Sequence, residues 1–366
     1  MSSDLILVIV VGTALAFDFT NGFHDTANVV ATSISTRAMP PRLAVGYAAV
    51  LNFAGAFISL AVAATVAQDV VSAGAITPTV VFAGLIGAIS WNLITWYFGL
   101  PSSSSHALIG GVVGAAFAAA GSSAVLGDGV LGKVLIPAII APILAFIVGA
   151  IAIVVCYRVV GRLRPGHAGR GYRLGQVVSG GLLALAHGTN DAQKTMGVIT
   201  LALIANGNLP ADASPPTWVI VTAASAIALG TYSGGWRIIR TMGTRIIKMD
   251  SAQGFSAQGA GAAVILASSH FGFPLSTTHV ISGAVMGAGA ARRLSAVRWG
   301  VAGNIAIAWL LTLPAAGGTG ALVYGFTRIF GHGAAGPVIV AVLLVAALAW
   351  VAARRLREAR PAEAPA

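Results

Sequence analysis

The chain has 366 residues, of which 57% are hydrophobic and 8% are charged, and its mean hydropathy is +0.88. Soluble domains carry about 25% charged residues, so this composition excludes a soluble protein and predicts one that crosses a lipid bilayer many times. We expect this bilayer to be the plasma membrane. The net charge of +11 does not indicate a nucleic-acid partner. The basic residues lie in short patches between apolar runs, as in the cytoplasmic loops of membrane proteins.

The first half of the chain, residues 1–160, is predicted to be an N-terminal membrane repeat. Residues 5–36 are too long for one plain span and are expected to break at Asn21 and Gly22, whereas residues 43–67 are expected to form one uninterrupted span. The next span ends at a Gly-Leu-Pro turn that leads into Ser102–Ser105.

An arginine-rich segment, residues 161–173, is predicted to be a cytoplasmic linker. It is followed by a second membrane repeat, residues 174–325, whose first long helix is expected to break at Gly188. Residues 326–353 are predicted to be a final membrane helix, and residues 354–366 a polar cytoplasmic tail. The rule of about 20 residues per crossing gives about 11 membrane segments, within a range of 10–12.

The two halves resemble each other. GLPSSSSHALIGGVVGA (99–115) aligns with GFPLSTTHVISGAVMGA (272–288), and NGFHD (21–25) aligns with HGTND (187–191). If the arginine-bearing connections are cytoplasmic, the two long helices cross the membrane in opposite directions. The predicted fold is therefore an all-α polytopic membrane protein with two inverted-topology repeats, broken helices and Ser/Thr-rich re-entrant turns, as in many secondary transporters.

Asp18, Asp25 and Asp191 lie inside apolar sequence, where ionisable residues mark ion or proton pathways. The alternative is a structural ion pair, and Lys194 is the partner available to Asp191. His24 is adjacent to Asp25 and is a plausible proton carrier, because imidazole titrates near neutral pH.

The hydroxyl-rich segments Ser102–Ser105 and Ser276–Thr278 each follow a Gly-x-Pro break. Such a break can start a helix, and the unpaired N–H groups of a helix N-terminus bind anions. Hydroxyls with few fixed cations suit an oxyanion, and carboxylates nearby suit an accompanying cation. A flexible polar loop is the alternative for the serine run taken alone.

Four segments in order resemble the inorganic phosphate transporter (PiT) family: NGFHDTANVVAT (21–32), WNLITWYFGLPSSSSHALIGG (91–111), AHGTNDAQKTMG (186–197) and FPLSTTHVISGAVMG (273–287). The resemblance implies a secondary phosphate carrier, coupled to Na⁺ or H⁺ and typically a homodimer. With the residue chemistry above, it gives substrate-binding candidates Thr26, Ser104, Ser105, Gln193, Thr277 and Thr278. The candidates for cation or proton coupling are His24, Asp25, Asn28, Ser103, Asn190, Asp191 and Ser276.

One departure from the family decides the predicted coupling ion. The family pattern is Gly-x-Asn-Asp in both halves, but the first half here reads Gly-x-His24-Asp25, and imidazole is a poor Na⁺ ligand. This resembles the low-affinity bacterial carriers, which are proton-driven and can move phosphate as a neutral metal complex. The sequence therefore predicts a proton–phosphate symporter.

The alternatives are a sodium-coupled phosphate or sulfate symporter, a passive channel, and an intramembrane enzyme. No nucleophile with its base supports an enzyme, and no cofactor is expected. The single cysteine, Cys156, excludes an intrachain disulfide and a cysteine-based metal site.

The inverted arrangement predicts that the loops around Arg164 and Ala211 lie on opposite sides of the membrane. In a Cys156→Ala background, Arg164→Cys should react with an impermeant thiol reagent only from the cytoplasmic side, and Ala211→Cys only from outside. Labelling both positions from one side would exclude inverted repeats.

Overall fold

The computed structural model describes residues 2–160, 165–331 and 333–358. The regular structure of this part of the chain is helical, apart from an isolated β-bridge between Val71 and Val125, so the protein is an all-α membrane protein. Residues 161–164 of the predicted linker and residues 359–366 of the predicted tail lie outside the described residues.

The helices of the first half begin with one that covers both the first apolar run and the polar motif inside it. They are α1 (Ser2–Ser35), α2 (Pro41–Gly55), α3 (Ala61–Gln68), α4 (Pro78–Phe98), α5 (Ser104–Ala120), α6 (Gly127–Gly129) and α7 (Ile136–Val160). The short α6 continues through a π-helical turn, Val130–Leu135, directly into α7.

The helices of the second half also begin with one long element. They are α8 (Pro165–Ala205), α9 (Thr217–Ser233), α10 (Trp236–Arg240), α11 (Ser251–His270), α12 (Thr277–Ala290), α13 (Trp299–Arg328) and α14 (Ala335–Glu358). Another π-helical turn, Thr241–Arg245, follows α10.

The two Ser/Thr-rich segments have the same construction. Helix α4 ends at Gly99, where φ is 65°, and α11 is followed by Gly272, where φ is 73°. Glycine adopts this left-handed conformation without strain, so the chain can reverse its direction at both positions. After each turn a serine caps the next helix: Ser103 accepts a hydrogen bond from His106 N (3.0 Å), and Ser276 accepts one from His279 N (3.3 Å).

The expected breaks at Asn21–Gly22 and at Gly188 are wrong, because α1 and α8 are continuous helices of 34 and 41 residues. The glycines serve close helix packing instead. A Cβ atom built on Gly22 would lie 2.3 Å from Ile227 O of α9, and one on Gly188 would lie 2.0 Å from Asn52 O of α2. A glycine in a membrane helix can therefore mark a contact with a neighbouring backbone and not a break.

The interruptions lie instead in the helices that pack on α1 and α8. The predicted uninterrupted span 43–67 is divided between α2 and α3 by residues 56–60, and α9 meets the segment Trp236–Arg245 at a bend of 59°. Gly55 and Gly235 lie at these breaks. A Cβ atom on Gly55 would overlap the backbone carbonyl of Leu185 on α8, and one on Gly235 would overlap the carbonyl of Phe23 on α1.

Five helical segments within the described residues are long and apolar enough to cross a membrane, and a sixth is added if the bent pair α9–α10 counts as one span. They are Asp4–Ser35, Pro78–Phe98, Ser104–Ala124, Gly127–Val159 and Trp299–Arg328. The number of crossings, about 11, stays a prediction.

The apolar core consists of two clusters with a polar layer between them. The first half of α1 (to Phe17) and the second half of α8 (from Ala192) belong to one cluster. The second half of α1 (from Ala27) and the first half of α8 (to Ala186) belong to the other. Helices α1 and α8 therefore run in opposite directions, and their polar motifs meet at the same level.

One helix near the end of each half packs on the other half. Helix α7 packs on α11 and α12, and α13 packs on α4 and α5. Helices α4 and α5 form the first hairpin, and α11 and α12 form the second; each carries one of the hydroxyl-rich turns. Each hairpin is therefore held by a helix from the other half. This exchange brings the two turns together against α1 and α8.

The packing role of Gly22 is tested by Gly22→Ala, with Gly12→Ala as the matched control on the same helix. The new methyl group at position 22 overlaps α9, whereas the space around Gly12 is open for 4 Å. Overpacking costs about 1–3 kcal/mol, so Gly22→Ala should lower the Tm of the purified protein by several degrees, and Gly12→Ala should not. Equal Tm values for the two variants would rule out this role.

Candidate functional site

The polar layer lies where the middles of α1 and α8 meet the first turns of α5 and α12. All the side chains predicted to form the site are buried, with at most 3% of their surface exposed. Because buried polar groups are costly unless they are hydrogen-bonded, the contacts among them decide which can act together.

Asp25 is the centre of the hydroxyl contacts. Its Oδ2 lies 2.8 Å from Ser104 Oγ and 3.3 Å from Thr277 Oγ1, and its Oδ1 lies 3.4 Å from Thr278 Oγ1. The amide of Asn28 donates to Thr278 Oγ1 at 2.9 Å. One carboxylate of α1 thus holds hydroxyls from both hairpins.

His24 connects this carboxylate to α4. Its Nδ1 lies 2.7 Å from Asp25 Oδ1, and its Nε2 lies 3.1 Å from Thr95 Oγ1 and 3.4 Å from Ser102 Oγ. Thr95 is a site neighbour that sequence reasoning missed. Its signal was a hydroxyl residue in the apolar helix just before the serine run, but threonines in membrane helices often bond only to their own backbone, as Thr95 also does through Trp91 O.

Asp191 has a different set of partners. Its Oδ1 accepts a hydrogen bond from Lys194 Nζ, and its Oδ2 lies 2.9 Å from His187 Nε2. Thr277 Oγ1 lies 3.1 Å from Asp191 Oδ2, so this hydroxyl bridges the aspartates of the two halves. The ion pair with Lys194, which the sequence left open as an alternative, is present.

Lys194 extends these contacts into both hairpins. Besides Asp191, its ammonium donates to Ser105 Oγ at 2.5 Å and to Leu275 O at 2.7 Å. The side chain is 1% exposed, so the charge is compensated entirely by these buried oxygen atoms.

Ser103 and Ser276 occupy the N-cap positions of α5 and α12. The free N–H groups of the first turn of each helix therefore lie beside the hydroxyl residues that open it, Ser104 and Ser105 in α5 and Thr277 and Thr278 in α12. Two helix N-termini that converge with four hydroxyls provide many hydrogen-bond donors and a favourable dipole for an oxyanion.

Three predicted residues point away from this cluster. Thr26 Oγ1 donates to Gly22 O (2.6 Å) and lies 3.2 Å from Thr231 O, where it ties α1 to α9. Gln193 Oε1 accepts hydrogen bonds from Val62 N and Ala63 N at 2.8 and 3.2 Å, so it caps the first turn of α3.

The amide of Asn190 donates to Ser269 Oγ at 2.8 Å and to Phe273 O at 3.2 Å, which connects α8 to the second hairpin. Asn190 thus supports the turn that carries Leu275, and its Oδ1 has no hydrogen-bond partner in the described part of the chain.

Asp18 is a further buried acid near the layer. It is fully buried, and neither carboxylate oxygen makes a hydrogen bond within the described residues, although the side chains of Asn21 and Thr195 lie beside it. Its position inside apolar sequence was the signal, but it has no counterpart in the second half that would have singled it out.

Asp25, His187 and Asp191 form a group that sequence spacing did not indicate. Each offers one ligand atom, and these atoms all lie within 4.8 Å of one another. Two carboxylates and an imidazole suit a divalent cation, although Thr277 and Lys194 already contact the same carboxylates.

The fold and the site together define a class of protein. A buried layer of hydroxyls, helix N-termini and carboxylates, shared by two oppositely directed halves of a membrane domain, is the arrangement of a secondary carrier for an oxyanion. The comparisons with known proteins narrow this class: the phosphate transporter family matches residues 21–320. The chain belongs to the phosphate transporter family, and is a multi-pass plasma membrane protein.

Several relatives are similar to this chain over most of their own length. A probable low-affinity inorganic phosphate transporter of Mycobacterium leprae is 55% identical over 93% of this chain and 83% of its own. Proteins of the same description from Rhizobium meliloti and Bacillus subtilis are 48% and 45% identical over 87% of this chain and 96% of theirs.

A solved structure shares the fold. The structure described as the sodium-dependent phosphate transporter covers 89% of this chain and 99% of its own, with a TM-score of 0.80 and 24% sequence identity. At that identity the likeness establishes the architecture and leaves the coupling ion of this chain open.

The placement of the two threonines predicts different effects for the same change. Thr278→Val removes a hydroxyl of the cluster and should raise the KM for phosphate uptake about tenfold, the usual effect of losing a hydrogen bond to a charged group. Thr26→Val removes a hydroxyl that bonds only to backbone carbonyls, so it should leave KM unchanged. Initial uptake rates in proteoliposomes measure both, and a raised KM in Thr26→Val alone would contradict the assignment.

Proposed function

We propose that this protein is a proton-coupled phosphate symporter that binds phosphate between the N-termini of α5 and α12. The hydroxyls of Ser104, Ser105, Thr277 and Thr278 converge there with two helix dipoles, which suits a tetrahedral oxyanion. Membership of the phosphate transporter family and the names of the bacterial relatives support phosphate as the substrate.

The observation that carries proton coupling is the position of Lys194. Its ammonium contacts the Asp191 carboxylate, the Ser105 hydroxyl and the Leu275 carbonyl. Carboxylate, hydroxyl and carbonyl oxygens are the ligands that a hard cation such as Na⁺ would use. The ammonium of Lys194 occupies these ligands and neutralises Asp191. A sodium ion at this place would have to displace it.

Asp25 is paired in a similar way. The imidazole of His24 lies 2.7 Å from its Oδ1, so both central carboxylates have a nitrogen partner within the protein. A proton can be added to the His24–Asp25 pair without any new ligand sphere, whereas Na⁺ needs several free oxygen atoms. Proton coupling therefore fits this set of contacts better than sodium coupling.

The hydroxyl contacts suggest how the proton and phosphate are linked. In this conformation, the hydroxyls of Ser104, Thr277 and Thr278 lie within hydrogen-bond distance of the Asp25 carboxylate. Protonation of the His24–Asp25 pair weakens Asp25 as an acceptor, and the hydroxyls can turn toward phosphate. It also removes a negative charge beside an incoming anion, which lowers the electrostatic cost of binding.

Movement of one half against the other would then expose the loaded site on the opposite side. Asn28 on α1 and Lys194 on α8 both bond to residues of the hairpins, so the contacts that form the site also join the moving parts. A loaded site with a smaller net charge can stay buried between the two apolar clusters during this movement at a lower desolvation free energy.

One observation favours a variant of this function, transport of a metal–phosphate complex. The ligand atoms of Asp25, His187 and Asp191 lie within 4.8 Å of one another beside the hydroxyl cluster. A divalent ion carried with phosphate would find these groups close to the phosphate oxygens, and its charge would offset that of the phosphate.

The test is uptake of radiolabelled phosphate into proteoliposomes under a pH gradient or a Na⁺ gradient imposed separately. The inward proton gradient should drive uptake by the wild type, and the Na⁺ gradient should not. His24→Asn should lose about a hundredfold or more of the proton-driven rate, the range expected for a proton-transfer group. His270→Asn, at an exposed position at the end of α11, is the matched control and should behave as the wild type.

Uptake that follows Na⁺ and ignores the pH gradient would overturn proton coupling and keep the phosphate carrier. Labelled sulfate taken up in place of phosphate would overturn the substrate. Phosphate uptake that requires added Mg²⁺ and stops with a chelator would identify the metal complex as the cargo.

A further inference from the structure

A cationic pocket lies beside the first hairpin, and none of the residues that line it belongs to the polar layer. It has a volume of about 270 Å³ and is lined by Arg237, Arg240 and Arg245, by Gly99 at the end of α4, and by aromatic side chains. In the part of the chain that the structure describes, none of these arginines belongs to an ion pair. Three positive charges thus face one cavity without a carboxylate among its lining residues.

The pocket is ordered by contacts of its own. The guanidinium of Arg237 donates to Tyr97 O and lies over the rings of Tyr97 and Trp96, 4.8 and 5.4 Å from their centroids. Thr241 Oγ1 donates to Gly99 O at 2.8 Å. These contacts hold the first arginine and the floor of the pocket in place, so little further ordering is needed when an anion binds.

The chemistry of the pocket suits a phosphate group. Arginine presents planar, multiple N–H donors that match phosphate oxygens, and it remains charged at all physiological pH values. Arg240 and Arg245 are exposed and lie on the basic connection after α9, which the positive-inside rule predicts to be cytoplasmic. The cytoplasmic leaflet is also where anionic lipids attract clustered arginines.

The rim has a second property, which concerns the source of that phosphate. Tyr97, Phe98 and Trp236 are 54%, 66% and 47% exposed at the edge of the pocket. Aromatic residues of this kind lie at the boundary between headgroups and acyl chains. A phospholipid could therefore place its phosphate among the arginines and its chains beside the aromatic rim, while a free phosphate ion would use the arginines alone.

We propose that this pocket is a second binding site for a phosphate-bearing anion, distinct from the polar layer between α1 and α8. The proposal does not depend on which ion couples transport. It predicts a site that tolerates changes in the transport residues and fails when the arginines are neutralised.

The test uses the purified full chain and the double variant Arg240→Gln/Arg245→Gln. Its matched control is Arg170→Gln/Arg173→Gln, which removes the same charge from exposed positions on α8. Native mass spectrometry measures adducts of phosphatidylglycerol and of phosphatidylcholine. Equilibrium dialysis with radiolabelled inorganic phosphate counts the ions bound per chain, of which one belongs to the proposed transport site and a second reports the pocket.

Wild type and control should bind one of the two anions in the pocket, and the pocket variant should bind it there about thirtyfold more weakly, as expected from about 1 kcal/mol for each of the two arginines at a membrane surface. A loss confined to phosphatidylglycerol identifies a lipid headgroup site, and a loss confined to inorganic phosphate identifies a site for the free ion. Equal binding of both anions by the pocket variant and the control would overturn the proposal. An unchanged Tm in the pocket variant excludes unfolding as the cause of a loss of anion binding.

Discussion

The burial of Asp25 and Asp191 between two apolar clusters is the constraint on which the rest of the structure depends. An ionised carboxylate away from water is tolerated only with hydrogen bonds and a nearby positive charge. Each helix supplies the nitrogen partners of its own carboxylate: His24 on α1 for Asp25, and His187 and Lys194 one turn away on α8 for Asp191. The remaining partners are hydroxyls from both hairpins.

This requirement explains why the halves are interlocked. Thr277 bridges the two aspartates, and Lys194 of α8 reaches the first hairpin at Ser105 and the second at Leu275. In the proposed function phosphate uses the same hydroxyls, so substrate and carboxylate would compete for them. A proton that changes how strongly Asp25 holds the hydroxyls also changes the affinity for phosphate, which is the basis of the coupling proposed above.

The pattern of residues predicted the fold class, the opposite direction of the long helices and the two hydroxyl-rich turns, because these depend on hydropathy, charge placement and the internal repeat. It located the breaks wrongly. Gly22 and Gly188 look like helix interruptions in a polar motif, yet their function is contact with α9 and α2, and such contacts depend on a neighbour that is distant in sequence.

The site was predicted in the same partial way. The structure brings Asp25, Asn28 and the four hydroxyl residues together, and their roles stay predictions. Thr26 and Gln193 point elsewhere, because adjacent residues on a helix point in directions about 100° apart. The contacts of Lys194 beyond Asp191 could not be inferred from spacing, since Ser105 and Leu275 belong to hairpins brought in by the tertiary fold.

The most direct measurement is the affinity for phosphate of the wild type and of Asp25→Asn at one acidic and one alkaline pH. Asparagine keeps the shape of a protonated aspartate, and the ionisation of phosphate itself is common to both proteins. If proton binding at Asp25 frees the hydroxyls, the wild type should lose affinity relative to Asp25→Asn as the pH rises. A ratio of affinities that does not change with pH would contradict the link between the proton, the carboxylate and the phosphate site.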